Sequence, residues 1–134
     1  MRRRSTQAVL LTAAALACLT AIAIPALAAK PGMTVKIPAS QDVDKVYVLA
    51  AIHQKKCTMQ VTGSVLGHKF TTFKKSKVTI HLTNQAFLRL SSSAKRSVKK
   101  ALRRGKTVRA KITVTARNGA GTRNSVTRSV KLKD

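Results

Sequence analysis

Val108-Arg109-Ala110-Lys111-Ile112-Thr113-Val114-Thr115-Ala116-Arg117 decides the fold of this 134-residue chain. Apolar residues hold every even position in it, and basic residues or threonine every odd one. Successive side chains of a strand point to opposite faces, so this alternation predicts a strand with one apolar and one polar face. Its content of Val, Ile and Thr suits the same conformation. Asn118-Gly119-Ala120-Gly121 follows as turn chemistry, and Val126, Val130 and Leu132 mark a returning strand, so a hairpin is expected. Arg128 falls on the apolar side of that last strand and is expected to snorkel at an end or to sit at a bulge.

Toward the N-terminus the period of two recurs. Val46, Val48, Ala50 and Ile52 predict a first strand, and Met59, Val61, Gly63 and Val65 a second. Val78, Ile80 and Leu82 predict another, with Thr79, His81 and Thr83 on its other face. Phe70 and Phe73 fit a short strand between those two. Strands with one apolar face build antiparallel sheets covered on one side. A single segment leaves the pattern: Ala94, Val98, Ala101 and Leu102 recur at helical spacing, Ser91 to Ser93 offer an N-cap, and Gly105 offers a stop. The expected fold is therefore all-β, an antiparallel sandwich with one short cationic helix over about residues 93–104.

The first 28 residues read differently. Arg2, Arg3 and Arg4 precede an uncharged, mostly apolar run from Ala8 to Ile24, and Pro25 ends it before Ala26-Leu27-Ala28. That order of charge, apolar block and small residues is the pattern of a cleaved secretory signal peptide, helical in its apolar part. The run falls short of the ~20 residues that span a bilayer, so no transmembrane anchor is expected after processing. Ala15 stands where a lipobox would carry Leu before Cys18, which argues against lipidation. Residues 29–40, with Pro31, Gly32, Pro38 and Ser40, read as a linker holding a short extended piece over Thr34 to Ile37. The domain is then expected over 41–134.

Charge is the strongest compositional feature. There are 27 Lys+Arg against 3 Asp+Glu, a net charge of +24, and no Glu. Removal of residues 1–28 would take three Arg and leave 24 basic residues against 3 acidic, or +21. Asp42, Asp44 and Asp134 are too few to furnish a carboxylate-rich calcium or magnesium site. They also furnish no convincing acid and base pair for hydrolysis. An apolar content of 44% nevertheless excludes a disordered basic tail.

The stretch from about Val78 to Leu132 resembles a known family. Its strand Val78-Thr79-Ile80-His81-Leu82, basic helix Ser93 to Arg104 closed by Gly105, strand Val108 to Ala116, turn Asn118-Gly119-Ala120-Gly121 and strand Ser125 to Leu132 are similar to immunoglobulin-like (Ig/fibronectin-III-type) repeats. Such repeats occur in secreted proteins of high-GC Gram-positive bacteria and are mostly uncharacterised. The likeness covers about half of the chain after the signal peptide, and its motifs are structural. It implies a sandwich fold and an extracellular location more than an activity. Relatives often carry a close cysteine pair before the second strand. Here His53 stands where the first would be and Cys57 where the second would be, so the family's local disulfide is absent. Asn118 also replaces an acidic residue that relatives often place in the turn.

Three groups of residues are candidates for chemistry. Cys57 would be the one thiol left after processing. Lys55 and Lys56 beside it would favour a thiolate, and an unpaired cysteine in a secreted chain opens a disulfide-linked homodimer. The bland alternative is a strand-end residue left from a lost disulfide. His53, His68, His81 and Cys57 are the good transition-metal ligands, but their spacing matches no zinc pattern. His81 reads as a solvent-facing strand residue, and neither a metal nor another cofactor is expected.

The basic surface is the main candidate. Arg89, Lys95, Arg96, Lys99, Lys100, Arg103, Arg104, Lys106, Arg109 and Lys111 follow one another without an acid between them. Lys55, Lys56, Lys69, Lys74, Lys75 and Lys77 form a second set, and Arg117, Arg123 and Arg128 a third. A field this one-sided attracts polyanions and costs stability through self-repulsion. Solvated surface in a basic lineage is the competing explanation. The expected partner is an anionic cell-wall polymer such as teichoic acid, or another polyanion, with non-specific nucleic acid as a further partner. Tyr47, Phe70, Phe73 and Phe87 are too few aromatics for stacked single strands, and no catalytic motif appears. The sequence is thus read as a secreted, envelope-associated binding or structural module and not an enzyme. A cationic membrane-active effector and an accessory domain for a larger secreted partner are the alternatives.

Overall fold

A computed structural model describes residues 29–134. The expected signal peptide, with Cys18, lies outside the described residues. The elements in chain order are β1 (Met33–Lys36), β2 (Ser40–Asp42), β3 (Val46–Ile52), β4 (Thr58–Val65), β5 (His68–Lys69) and β6 (Phe73–Lys75), followed by β7 (Thr83–Leu88), α1 (Ser92–Arg103), β8 (Val108–Arg117) and β9 (Arg123–Lys133). They form a small sheet of order β1-β3-β7 and a larger one of order β2-β9-β8-β4-β5, with β6 also paired to β4. Among the described residues the fold is all-β with one helix. The larger sheet is mixed and not wholly antiparallel, because β2 runs parallel to β9.

The inner faces follow from alternation. Val108, Ala110, Ile112, Val114 and Ala116 of β8 are all buried, as are Val46, Val48, Ala50 and Ile52 of β3. Both sheets and α1 contribute to one apolar core. Gly63 of β4 sits at a close approach: a Cβ there would lie 3.0 Å from Cδ2 of Phe70 and 3.3 Å from the Lys111 carbonyl. The hairpin turn is held by Asn118, whose Oδ1 accepts the N–H groups of Ala120 and Thr122 at 3.0 and 2.9 Å. Pairing of β8 with β9 runs without interruption from Val108 opposite Leu132 to Arg117 opposite Arg123. Arg128 therefore occupies neither a bulge nor an end. It sits in mid-strand opposite Ile112 and remains exposed. An inward-parity charge on this outlying strand disfavours further edge pairing.

Two expectations change. The segment 29–40 is not a free linker: β1 pairs with β3, β2 pairs with β9, and Pro31 is buried. The extended piece is anchored because Met33 and Val35 pack on the core from alternate positions. The strand expected at Val78, Ile80 and Leu82 is a turn. The Leu82 N–H donates to the Thr79 carbonyl at 3.2 Å, His81 takes a positive φ of 62°, and Leu82 is exposed. The strand lies farther on, at β7, where Asn84, Ala86 and Leu88 point inward. Asn84 is tolerated there because its side chain donates to the Ala50 and Leu82 carbonyls and accepts from Nζ of Lys75.

Candidate polyanion-binding surface

The helix begins where Ser91, in an extended conformation, accepts the Ala94 N–H on its hydroxyl at 3.2 Å. It ends where Gly105 adopts φ +79°. The Gly105 N–H then reaches the Leu102 carbonyl and the Lys106 N–H the Ala101 carbonyl. That pair of bonds is a Schellman closure, which needs the left-handed residue glycine supplies. Ala94 and Val98 are buried in the core, with Ala101 and Leu102 half-buried against it. The apolar face is thus already used in packing and is not free to enter a lipid surface.

The six basic helix residues divide into two stripes. Lys95, Lys99 and Arg103, four residues apart, run beside the packed face. Each has an acidic partner. Asp44 Oδ1 lies 3.1 Å from Nζ of Lys95, and Asp44 Oδ2 lies 2.9 Å from Nζ of Lys99. Asp134 lies 3.4 Å from Lys99 and 3.7 Å from Nε of Arg103. Asp44 is aimed by the turn after β2, where its N–H donates to Oδ1 of Asp42 at 2.8 Å. Lys99, and after it Lys95, hold the Asp44 carboxyl below its usual range of about 3.8 by hydrogen bonding. The hydrogen bond that Lys99 donates to Asp44 in turn raises Lys99 above its ordinary value. Arg96, Lys100 and Arg104 form the outer stripe. They are exposed, and no carboxylate lies within ion-pair distance of them among the described residues.

Lys106 and Thr107 lead from the helix into β8, whose outer face carries the next candidates. Arg109 faces Lys131 across the β8–β9 pair, and Arg117 faces Arg123. Like charges directly opposite are destabilising. Between these two repulsive pairs lies a neutral zone, where Thr113 bonds Thr127 and Thr115 bonds Ser125, each at 2.9 Å between hydroxyl oxygens. Lys111 lies opposite Ser129 on one side and Ser64 on the other, and Ser64 pairs in turn with Lys69. Arg89 stands apart, exposed after β7, near Asp42, Asp44 and Lys45. The expected set therefore occupies several surfaces, the helix, the outer sheet face and the Arg89 groove. Lys131 and Lys133 belong with Arg109 and were missed. Their alternation with Val130 and Leu132 was the signal that could have found them.

Cys57 requires a correction. It is 0% exposed and belongs to the core, with Sγ 3.7 Å from the Lys55 carbonyl and 3.8 Å from Oε1 of Gln54. Burial pushes its thiol pKa up, opposite to what Lys55 and Lys56 suggested. A disulfide-linked homodimer through Cys57 is overturned, because a sulfur enclosed by its own core cannot meet a second chain. His53 is brought not to Cys57 but to His81, and His68 lies apart on β5. Among the described residues no cluster of three or more His, Cys, Asp or Glu side chains could hold a metal ion. Nor is any helix among them long and apolar enough to cross a membrane. No protein-family model matches the chain, and no curated protein is significantly similar to it.

Proposed function

We propose that this protein is a secreted, immunoglobulin-like sandwich module held electrostatically at an anionic envelope polymer such as teichoic acid. The order of the strands supports the fold. The pair β3-β7 and the triplet β9-β8-β4 correspond to the central strands of the two sheets of an immunoglobulin sandwich. The return of β2 beside β9 adds an edge strand to the second sheet.

The observation that carries the function is the segregation of charge. Two of the three acids are spent on one stripe of α1, leaving the outer stripe and the sheet face as uncompensated cation arrays. Arg109 with Lys131, and Arg117 with Arg123, place like charges side by side at a cost that a bound phosphate chain would relieve. Binding by such arrays releases counterions, so affinity should fall steeply and log-linearly with salt. The test is binding to purified cell wall with and without teichoic acid across a salt series. Steep, salt-sensitive binding that needs the polymer is expected. Salt-insensitive binding, or none, would overturn the proposal.

A further inference from the structure

We infer that His53 and His81 form a chelating site for a borderline divalent transition metal, with Cu(II) the ion that imidazole donors and the general affinity order favour. Nδ1 of His53 and Nδ1 of His81 lie 3.0 Å apart, with ring centroids 5.2 Å apart and planes at 38°. Both side chains are exposed, so waters can complete a coordination sphere. The pair stands at the end of the small sheet. Ala51 is opposite Thr83 in the β3–β7 register, and two further residues along that register bring 53 opposite 81. The His81 N–H donates to the Ile52 carbonyl at 3.0 Å and the His53 N–H to the Gly32 carbonyl at 2.8 Å, so both backbones are held.

The second ring nitrogen of His53 is also engaged. Nε2 lies 2.8 Å from Oγ1 of Thr34, on the neighbouring β1. A proton on Nε2 donated to that hydroxyl leaves the Nδ1 lone pair free for a metal, which is the usual way an outer partner sets a ligating histidine. Only one proton can lie between the two Nδ1 atoms, and a metal would take its place. Metal–imidazole bonds of about 2.0–2.1 Å across the 3.0 Å separation subtend roughly 90° at the metal. That is a cis pair of a tetragonal centre. Square-planar or tetragonal geometry, imidazole donors and the general affinity order all favour Cu(II).

The backbone of His81 is itself unusual, in the left-handed region at φ 62° without being glycine. The turn over Thr79 to Leu82 places it there, directly over His53. The charged helix is remote: β3 separates the pair from the Asp44 turn by roughly 20 Å at ~3.3 Å per residue. Helix cations at that distance are screened in physiological salt. The inference is independent of the polyanion reading.

The full chain should be titrated with Cu(II) alone at about pH 7.5 and followed by electron paramagnetic resonance. One equivalent should bind with splitting from two nitrogens. His53→Gln and His81→Asn should each lose that two-nitrogen signal, while His68→Gln keeps it. Asn tolerates the positive φ, so His81→Asn preserves the turn, and the thermal midpoint of each variant establishes that it is folded. Thr34→Val should keep both nitrogens and weaken binding by about tenfold. Zn(II) should compete less well than Cu(II). Absence of saturable one-equivalent binding overturns the site, as does a two-nitrogen signal that survives either folded His53 or His81 variant.

Discussion

The two cationic stripes of α1 have the same composition class, the same spacing and opposite circumstances. Lys95, Lys99 and Arg103 face Asp44 and Asp134, whereas Arg96, Lys100 and Arg104 face solvent. The difference teaches that a run of basic residues is not one binding surface. Half of this one is an internal electrostatic clamp that ties the helix to the turn before β3 and to the chain end. The other half has no carboxylate partner among the described residues and keeps its charge for an outside ligand. Surface ion pairs of the first kind contribute little stability individually, but they remove those cations from competition for a polyanion.

The largest effect that would break this comparison is on binding. Arg96→Gln, Lys100→Gln and Arg104→Gln together should reduce the salt slope of polyanion binding by about three units and weaken affinity roughly a hundredfold at moderate salt. The matching triple change of Lys95, Lys99 and Arg103 should alter the slope much less. Equal losses from the two triples, measured in the same salt series, would show that the ion pairs do not distinguish the stripes.

A single change should sharpen the comparison in the opposite direction. Asp44→Asn releases Lys95 wholly and Lys99 in part, so binding should tighten and its salt slope should steepen by about one unit. A slope no steeper than that of the parent would mean the clamp withholds nothing. The same release by acid is expected to be the smallest effect. Hydrogen bonds from Lys99 and Lys95 hold Asp44 below the ordinary carboxylate value of 3.8, so its contribution to stability is present above that value and is lost as the pH falls through the lower folded one. Lys99 is shifted up from 10.5, so its contribution is present below that value and is lost only as the pH rises through the higher folded one. The clamp should therefore hold from about pH 4 to about pH 10 and loosen outside that window. Denaturant melts of parent and Asp44→Asn protein should differ inside the window and converge at the acid limit.

Legibility varied with how local the deciding interaction was. The alternation in β8 and β3 identified every buried residue of both strands, since side-chain parity is a property of the strand itself. The helix was found to within one residue at each end because Ser91 and Gly105 carry its caps. The region before it misled. Val78, Ile80 and Leu82 kept the parity of a strand while the chain turned. The true strand at Thr83–Leu88 was disguised by an inward Asn84 and an exposed Phe87. Asn84 is acceptable inside because the Ala50 carbonyl, distant in sequence, and Nζ of Lys75 satisfy it together with the nearby Leu82 carbonyl. The outward Lys131 and Lys133 were readable in the same way as Arg109, but their position beside it depended on the β8–β9 register.

The sequence by itself determined which faces are apolar, where the helix starts and stops, and that the chain carries a large excess of positive charge. These are consequences of short-range periodicity, backbone preference and composition. Only the tertiary structure decided which cations are neutralised, that Cys57 is enclosed and that His53 meets His81. Asp44 reaches Lys99 across 55 residues, and His53 reaches His81 across 28. Contacts of that range follow from strand register and sheet order, which bring together positions that no local pattern relates.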